Sequence, residues 1–169
     1  MDLTKTLQDP VVEISKLQVT DFDGLFRVAN DKALWADHPA KDRYKRSEFE
    51  KWFESAMEYG STLKIVDRTT DEIIGSTRYY DYQPGREVAI GYTFLSRKLW
   101  GGETNGRVKK LMFDYAFQHV ERIWLHIGPE NIRSQKAAEK VGAVFSHSET
   151  KELAGSSLEY SCYRVDKPA

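Results

Sequence analysis

The sequence has few of the features that mark secreted, membrane or nucleic-acid-binding proteins. A single cysteine, Cys162, excludes an internal disulfide framework and favours a reducing compartment. No hydrophobic run reaches the length of a membrane span, and the first ten residues are too polar for a signal peptide. The 25 Lys and Arg residues nearly balance the 26 Asp and Glu residues, which does not favour a general nucleic-acid binder. We therefore expect a cytoplasmic protein without a nucleic-acid or membrane partner.

Two kinds of ligand motif are also missing. Neither the GxxxxGK[ST] pattern nor the GxGxxG pattern of phosphate-binding loops occurs. Metal-ligand spacing is not found among the histidines, and there is no Cys-x-x-Cys pair, so we expect no metal. The four histidines are His38, His119, His126 and His147.

A chain of 169 residues fits one domain, here residues 1–169, with residues 1–10 expected to form a loosely ordered tail. Helical patterns dominate the first third, and short apolar strands separated by polar turns follow from Thr62. Such short turns imply antiparallel neighbours. The last two strands are joined by a polar loop around Gly155. The pattern predicts one mixed α/β (α+β) domain whose sheet is largely antiparallel and centrally parallel.

One stretch near the middle combines a strand, a glycine turn and a helix. Apolar residues alternate over Val88–Phe94, the turn is Gly101-Gly102, and an apolar stripe at helical spacing begins at Val108. The first N–H groups of a helix lack intrahelical partners and carry the positive end of the helix dipole. This junction therefore favours an anion as its ligand, although a plain tight connection is the alternative.

A second strand, loop and helix follow. Ile123–Gly128 is a short apolar strand, and Pro129–Ala143 reads as a loop, a helix and a glycine stop. Taken in order, these two units resemble the GNAT superfamily of acyl-CoA N-acyltransferases, and within it the branch of the ribosomal-protein (Rim-type) N-terminal acetyltransferases. The resemblance runs from about Val12 to Val165 and rests on Ile90–Leu95, the Trp100-Gly101-Gly102 turn with Asn105, Asn131–Ala137 and Glu139–Ala143.

The resemblance implies a GNAT-like fold with acetyl-CoA as cofactor. That fold has a mostly antiparallel seven-stranded sheet, about four helices, and central parallel strands that splay apart. The cofactor-binding residues it implies are Thr93, Phe94, Leu95, Trp100, Gly101, Gly102, Glu103, Thr104, Asn105, Asn131 and Ser134. A small residue is usual at position 103, and a carboxylate aimed at a pyrophosphate is repulsive. We therefore expect the Glu103 side chain to point outward.

The usual proton-transfer residues of the family are replaced. Ala89 stands where a glutamate base is common, and Glu87, two residues earlier on the same strand face, is the expected substitute. Glu87 is alternatively a surface acid near a turn. Other candidates for the base are His38, His126, Tyr79 and Tyr80.

Ala138 stands where the family often carries the tyrosine that protonates the leaving thiolate. Ser134 is the nearest hydroxyl and is the expected hydrogen-bond donor to sulfur. A helix-capping role is its alternative.

The acceptor wall is expected around the polar loop Leu34–Tyr44, since loops that carry large aromatic residues often line sites. Trp35 alternatively anchors this loop to the core. The candidate substrate-binding residues are Trp35, His38, Tyr44, Arg78 and Tyr80.

The expected activity is acetyl transfer from acetyl-CoA to a primary amine by direct attack in a ternary complex, without Cys162 as nucleophile. The acceptor is a protein N-terminus or lysine, or a small-molecule amine. The alternative is a catalytically degenerate member that binds acyl-CoA as a sensor or scaffold. Apolar faces on the terminal strands favour a possible homodimer.

Overall fold

The computed structural model describes residues 1–153 and 156–169, and the loop expected around Gly155 lies outside these ranges. The described residues form four α-helices and eight strands. The helices are α1 (Phe22–Ala29), α2 (Arg46–Tyr59), α3 (Thr104–Ala116) and α4 (Ile132–Lys140). The strands are β1 (Leu7–Gln8), β2 (Val12–Lys16), β3 (Thr62–Asp67), β4 (Glu72–Gln83), β5 (Glu87–Leu95), β6 (Arg122–Ile127), β7 (Val144–Leu153) and β8 (Ser156–Asp166).

The strands form one mixed sheet in the order β1-β2-β3-β4-β5-β6-β8-β7. All described neighbours are antiparallel except β5 and β6, which confirms the mixed sheet with its central parallel pair. This pair is held together at three positions only, Glu87↔Arg122, Val88↔Ile123 and Ala89↔Trp124. Beyond Ala89 the two strands separate, as expected.

The sheet has one strand more than the seven expected. The additional strand, β1, pairs with β2 through Leu7↔Ile14 and Gln8↔Glu13. Two residues are too few to show an alternating pattern, so this strand has no signal in the sequence. The Met1 amino group also donates to Tyr82 Oη at 3.2 Å. The loose order expected of residues 1–10 in solution stays a prediction.

Helices cover both faces of the sheet because two faces of apolar side chains need burial. On one face, Val108 and Met112 of α3 pack with Val88 and Ile90 of β5 in the larger core. On the other face, α1 and α2 enclose an aromatic core. It contains Leu25, Trp35, Phe49, Trp52, Phe53 and Phe94.

A bulge interrupts β5 where it leaves β6. Ser76 pairs with Phe94 and Arg78 pairs with Gly91, so that two residues of β5 lie opposite one residue of β4. Tyr92, inside the bulge, has a φ of 52°. Bulges bend a strand and change the direction of its side chains. This bulge turns the second half of β5 away from β6.

Within the described residues, the longest apolar helical segments fall short of what a membrane crossing requires.

Gly75 allows β4 and β5 to approach closely, and we expect Gly75→Ala to be strongly destabilising. An added Cβ would lie 2.1 Å from the Phe94 carbonyl oxygen, a backbone atom that cannot rotate away. The expected loss is about 2–4 kcal/mol in the free energy of unfolding, measured by urea denaturation. The control is Gly106→Ala, whose Cβ meets nothing within 4 Å in α3 and should stabilise by about 0.5–1 kcal/mol. Equal stability of the two variants would contradict this account.

Candidate functional site

A cavity of about 610 Å³ lies where β5 and β6 separate. Its walls are Ile90–Leu95 of β5, Leu125–Gly128 at the end of β6, and the beginnings of α3 and α4. The three-position pairing of β5 and β6 makes this opening possible, because main-chain groups past Ala89 no longer bind each other. The cavity is therefore a direct product of the splay.

One end of the cavity meets the N-terminus of α3. Gly101 adopts a φ of 76°, a conformation that favours glycine, and turns the chain into the helix. Arg107 N is the first helical donor and reaches Glu103 O at 3.0 Å. The N–H groups of residues 104–106 precede it and have no intrahelical acceptor. Together with the helix dipole they favour an anion here.

The Glu103 carboxylate does not obstruct this end. Its side chain is 89% exposed and lies 3.9 Å from Arg107 Nη2, so it points outward as expected. Gly102 and Gly106 also leave room: a Cβ on Gly102 would meet only Leu99 O at 3.5 Å, and one on Gly106 would meet nothing within 4 Å. The site therefore combines N–H donors with open space.

A buried lysine of α3 extends the positive charge into the cavity. Lys109 is 7% exposed, lines the cavity, and donates from Nζ to Thr93 Oγ1 at 3.0 Å. Burial lowers its pKa to about 8. Among the described residues no carboxylate lies within ion-pair distance, 4.0 Å, of Nζ. An anion in the cavity would supply the missing counter-charge.

The N-terminus of α4 forms the opposite wall. Asn131 caps this helix, since its Oδ1 accepts from Ser134 N at 3.3 Å. The capping role considered for Ser134 therefore belongs to Asn131, and Ser134 lines the cavity as the residue that is capped. The Arg133 guanidinium lies 3.6 Å from the centre of the Trp100 ring, a cation–π contact between the two walls.

A tyrosine and a histidine meet in the cavity. Tyr80 Oη and His126 Nδ1 are 2.6 Å apart, although they belong to β4 and β6, which lie on either side of β5. Gly91 of β5 makes this contact possible, because a Cβ there would lie 3.0 Å from Tyr80 Cε1. Burial lowers the pKa of His126 to about 4 and raises the pKa of Tyr80 well above its usual value. Both groups are uncharged at neutral pH, and in the tautomer whose Nδ1 carries no proton the tyrosine hydroxyl is the donor.

His38 also reaches the cavity, but its Nδ1 is already occupied. It accepts a hydrogen bond from Ala40 N at 2.9 Å, and its ring stacks edge-on against Trp35. Burial, together with nearby Arg43, lowers the pKa of His38 to about 3. His38 therefore presents an Nε2–H donor rather than a base.

The structure does not bring Glu87 to the cavity. Its carboxylate accepts from Trp124 Nε1 at 3.1 Å and from Gln83 Nε2 at 3.3 Å, at the closed end of the β5–β6 pair. The cofactor residues expected from the sequence all line the cavity except Thr104, and of the acceptor residues only His38 and Tyr80 do so. Trp35 is buried and donates to Ala29 O at 2.9 Å, which matches the anchoring alternative. Tyr44 and Arg78 lie outside the lining set.

Two groups were missed in the sequence. Lys109 was not among the candidate cofactor residues, and only the packing of α3 against β5 reveals its burial. His147, Glu149 and Cys162 have ligand atoms within 4.8 Å of one another. Their separation along the chain concealed this group, because β7 and β8 bring it together by pairing His147 with Cys162. Burial raises the pKa of the Cys162 thiol, so it is protonated at neutral pH.

The comparisons with known proteins agree with this geometry. The family model described as the acetyltransferase (GNAT) domain matches residues 12–144. A search of curated proteins gives no significant match.

Similar solved structures share the fold at low sequence identity. A GCN5-related N-acetyltransferase from Brucella melitensis has 18% identity and a TM-score of 0.84, covering 96% of this chain and 78% of its own. The ribosomal-protein-S5-alanine acetyltransferase from Vibrio fischeri has 17% identity and a TM-score of 0.65, covering 97% and 100%. Mycobacterium smegmatis RimJ in complex with CoA-disulfide has 17% identity and a TM-score of 0.67, covering 96% and 86%.

Because the family model spans 12–144 of the 169 residues, and because the splayed strands and the α3 turn lie inside that span, this chain belongs to the GNAT acetyltransferases, the enzymes that use acetyl-CoA.

Proposed function

We propose that this protein is an acetyl-CoA-dependent N-acetyltransferase that transfers an acetyl group to a primary amine by direct attack in a ternary complex. One observation carries the proposal. A single cavity connects the anion-binding end of α3 with the Tyr80–His126 pair. The region proposed to bind the cofactor and the pair proposed to transfer the proton therefore lie in the same cavity. The acceptor is a protein N-terminus or lysine, or a small-molecule amine.

The residues of the cavity fit acetyl-CoA, which when bound supplies a thioester acyl group and a thiolate that leaves readily. Free N–H groups at the start of α3 and the room around Gly102 and Gly106 suit its pyrophosphate. The main chain of Thr93–Leu95, past the bulge, suits an extended amide-bearing arm. Lys109 adds a buried cation between these two regions.

Tyr80 and His126 provide a path for the proton that the attacking amine loses. Tyr80 Oη accepts this proton while its own proton passes to His126 Nδ1, 2.6 Å away. The net change is one proton moved from the amine nitrogen to the imidazole, which becomes imidazolium. A pKa of about 4 keeps the imidazole available as acceptor at neutral pH.

Ser134 is the proposed donor to the leaving sulfur. Its backbone N–H is occupied by Asn131, whereas its side chain is on the cavity wall. The buried Cys162 thiol, with its raised pKa, is unsuited to act as a nucleophile, in keeping with direct transfer. Glu87 as base stays a prediction, but its place at the closed end of the strand pair gives it less support than His126 has.

A homodimer is a further expectation. Val144 and Phe145 lie on the edge strand β7 and are 55% and 56% exposed. An exposed apolar edge of this kind supports pairing with a second copy.

Filling the space at Gly106 should abolish cofactor binding without harming the fold. In Gly106→Leu the new side chain enters open space in the first turn of α3, and a helical Gly→Leu change should stabilise by up to about 1 kcal/mol. Acetyl-CoA binding, measured by calorimetry, should be lost. Lys110→Leu adds the same side chain on the outer face of α3 and should bind normally. Normal binding by Gly106→Leu would contradict the proposed phosphate position.

Removing either member of the proton path should lower turnover more than binding. His126→Gln and Tyr80→Phe should each reduce kcat about a hundredfold, measured as thiol release with an amine panel. His119→Gln, in the turn after α3 and outside the cavity, is the control. Glu87→Gln tests the other base, and a larger loss there than in His126→Gln would contradict our assignment. Thiol release from no amine at all, with normal acetyl-CoA binding, would favour the sensor or scaffold.

The acid limb of turnover should not come from His126. Because the pKa of His126 is about 4, its neutral form persists down to about that pH, and the loss of rate between pH 8 and 5 belongs to protonation of the acceptor amine. The imidazole C2 proton resonance should move with pH near 4 rather than near 6.5. A midpoint near 6.5 in the free protein would overturn the buried, neutral assignment.

Cofactor affinity should fall with rising pH because of Lys109. Its lowered pKa of about 8 means that the charged form, which attracts phosphate, is lost above that pH. CoA affinity should decrease by up to about tenfold per pH unit above pH 8. Lys109→Met should bind CoA more weakly and show no such decrease, whereas Lys110→Met, which removes an exposed lysine, should behave as the wild type. An unchanged pH dependence in Lys109→Met would contradict this role.

A further inference from the structure

Two buried arginines lie behind the tyrosines of the cavity, and neither has an acidic partner. Arg43, in the chain before α2, is 9% exposed, and Arg78 on β4 is 4% exposed. Among the described residues, no carboxylate comes within 4.0 Å of either guanidinium. Charged side chains this deeply buried are normally paired.

Aromatic rings hold Arg78 in place. Its Cζ lies 4.3 Å from the centre of the Tyr59 ring and 4.3 Å from that of Tyr92. Its Nε donates to Thr62 Oγ1 at 2.9 Å. No described residue accepts from the two terminal nitrogens, so the end of the guanidinium is available for a ligand.

Arg43 is held in a similar way, but its guanidinium has no hydrogen bond to any described residue; its backbone N–H donates to Ala40 O at 3.3 Å. Its Cζ lies 5.2 Å from the centre of the Trp35 ring and 5.7 Å from that of Trp52. No fully buried side-chain nitrogen or oxygen in the described ranges lacks a partner. The unbonded nitrogens of Arg43 therefore still reach solvent, despite the burial of the residue.

Neither arginine lines the cavity itself, but Arg78 stacks on Tyr92, which does line it and which lies against Tyr80 rather than at the phosphate end. Arg78 is paired with Gly91, four residues before Leu95, which is about 13 Å along the strand from the end that leads to α3. The Arg43 side chain lies close enough to Arg78, Tyr92 and Tyr160 to be influenced by their charges, and both tyrosines line the cavity.

Stacking on aromatic rings does not offset two neighbouring buried cations. Burial is the main cause that lowers the pKa of Arg43 to about 10; Tyr92 opposes this shift and the charge of Arg78 contributes to it, and Arg43 stays charged at neutral pH. Two guanidinium groups that repel each other, with nitrogens open to solvent, would be stabilised by an anion between or beside them.

Resting on the acetyl transfer proposed above, we propose that Arg43 and Arg78 bind a carboxylate of the acceptor, so that the substrate is an amine that also carries a carboxylate group. A guanidinium donates two parallel hydrogen bonds to a carboxylate, which fixes the orientation of the molecule as well as its position. With its carboxylate at the arginines, the amine is directed along Tyr92 toward the Tyr80–His126 pair.

The test compares acceptors that differ only in one charge. β-Alanine against β-alaninamide, and tyrosine against tyrosinamide, represent small amino acids. Asp-Ala-Ala-amide against Asn-Ala-Ala-amide represents a polypeptide N-terminus with an acidic side chain. The amine of an amino-acid carboxamide is less basic and thus more often neutral. A preference for the free amino acid therefore cannot arise from amine basicity.

For at least one pair we expect kcat/KM to favour the carboxylate by about ten- to a hundredfold, which is the size of a charge-assisted contact. The preference should disappear in Arg43→Gln and in Arg78→Gln and return in part in Arg43→Lys. Arg46→Gln is the matched control, since Arg46 also stacks on aromatic rings, 5.1 Å from Phe22, but is exposed and paired with Glu50. Which pair responds distinguishes the small-molecule source from the polypeptide source.

Binding separates this inference from the proposed activity. Calorimetric titration of each pair into the CoA-loaded and the free protein requires no turnover. Carboxylate-selective binding that Arg43→Gln abolishes would support the arginine site even if no acceptor released thiol. Equal binding and equal kcat/KM within every pair, by a protein that does release thiol, would overturn the arginine site and leave acetyl transfer intact. Equal binding without any thiol release would overturn both.

Discussion

The separation of β5 from β6 is the constraint on which the site depends. Two parallel strands that paired along their full length would bury their main-chain groups in each other and leave no cavity. Here the pairing ends at Ala89, and the bulge at Tyr92 bends β5 away. The same bulge leaves main-chain groups of β5 facing the opening, where an extended ligand can use them. The sheet tolerates this opening because β5 remains paired with β4 and β6 remains paired with β8. Helices pack on both faces of the sheet.

The buried charges in and behind the cavity wall are positive. Lys109, between the start of α3 and the Thr93–Leu95 main chain, and the Arg43–Arg78 pair behind Tyr92 are buried cations without carboxylate partners in the described residues. Among the described residues that line the cavity, Glu103 alone is acidic, and it turns its carboxylate to solvent. Burying a charge without a partner costs stability, so a chain that retains such charges has a site adapted to anions rather than one adapted to folding alone. In the proposed function the phosphates of the cofactor would offset the charge of Lys109, and in the proposed carboxylate site the acceptor would offset the charge of the arginines.

Local patterns were enough to predict the mixed sheet and the turn that leads into α3. Alternation over Val88–Phe94 and the Gly101-Gly102 turn depend on residues close together in the chain, and the structure has the strand and turn where they were expected. The acceptor side was less accessible, because it is assembled from separate elements. Tyr80 and His126 meet only because Gly91, on the strand between them, carries no side chain. The burial of Arg43 likewise depends on Trp35 and Trp52, one in a loop and one in a helix. No spacing along the chain encodes such contacts.

The replacement of the expected glutamate by Ala89 is explained by the strands on either side of β5. Ala89 stands where the resemblance implies a glutamate base, and the residue is buried, with 1% exposed. The adjoining strands then carry the titratable groups instead: Tyr80 from β4 and His126 from β6. A neutral imidazole suits a site already rich in positive charge, because it accepts a proton only for the duration of transfer. It also adds no carboxylate that would form an ion pair with the arginines. The loss of the strand glutamate and the presence of unpaired arginines are therefore parts of one arrangement, in which the acceptor itself brings the negative charge.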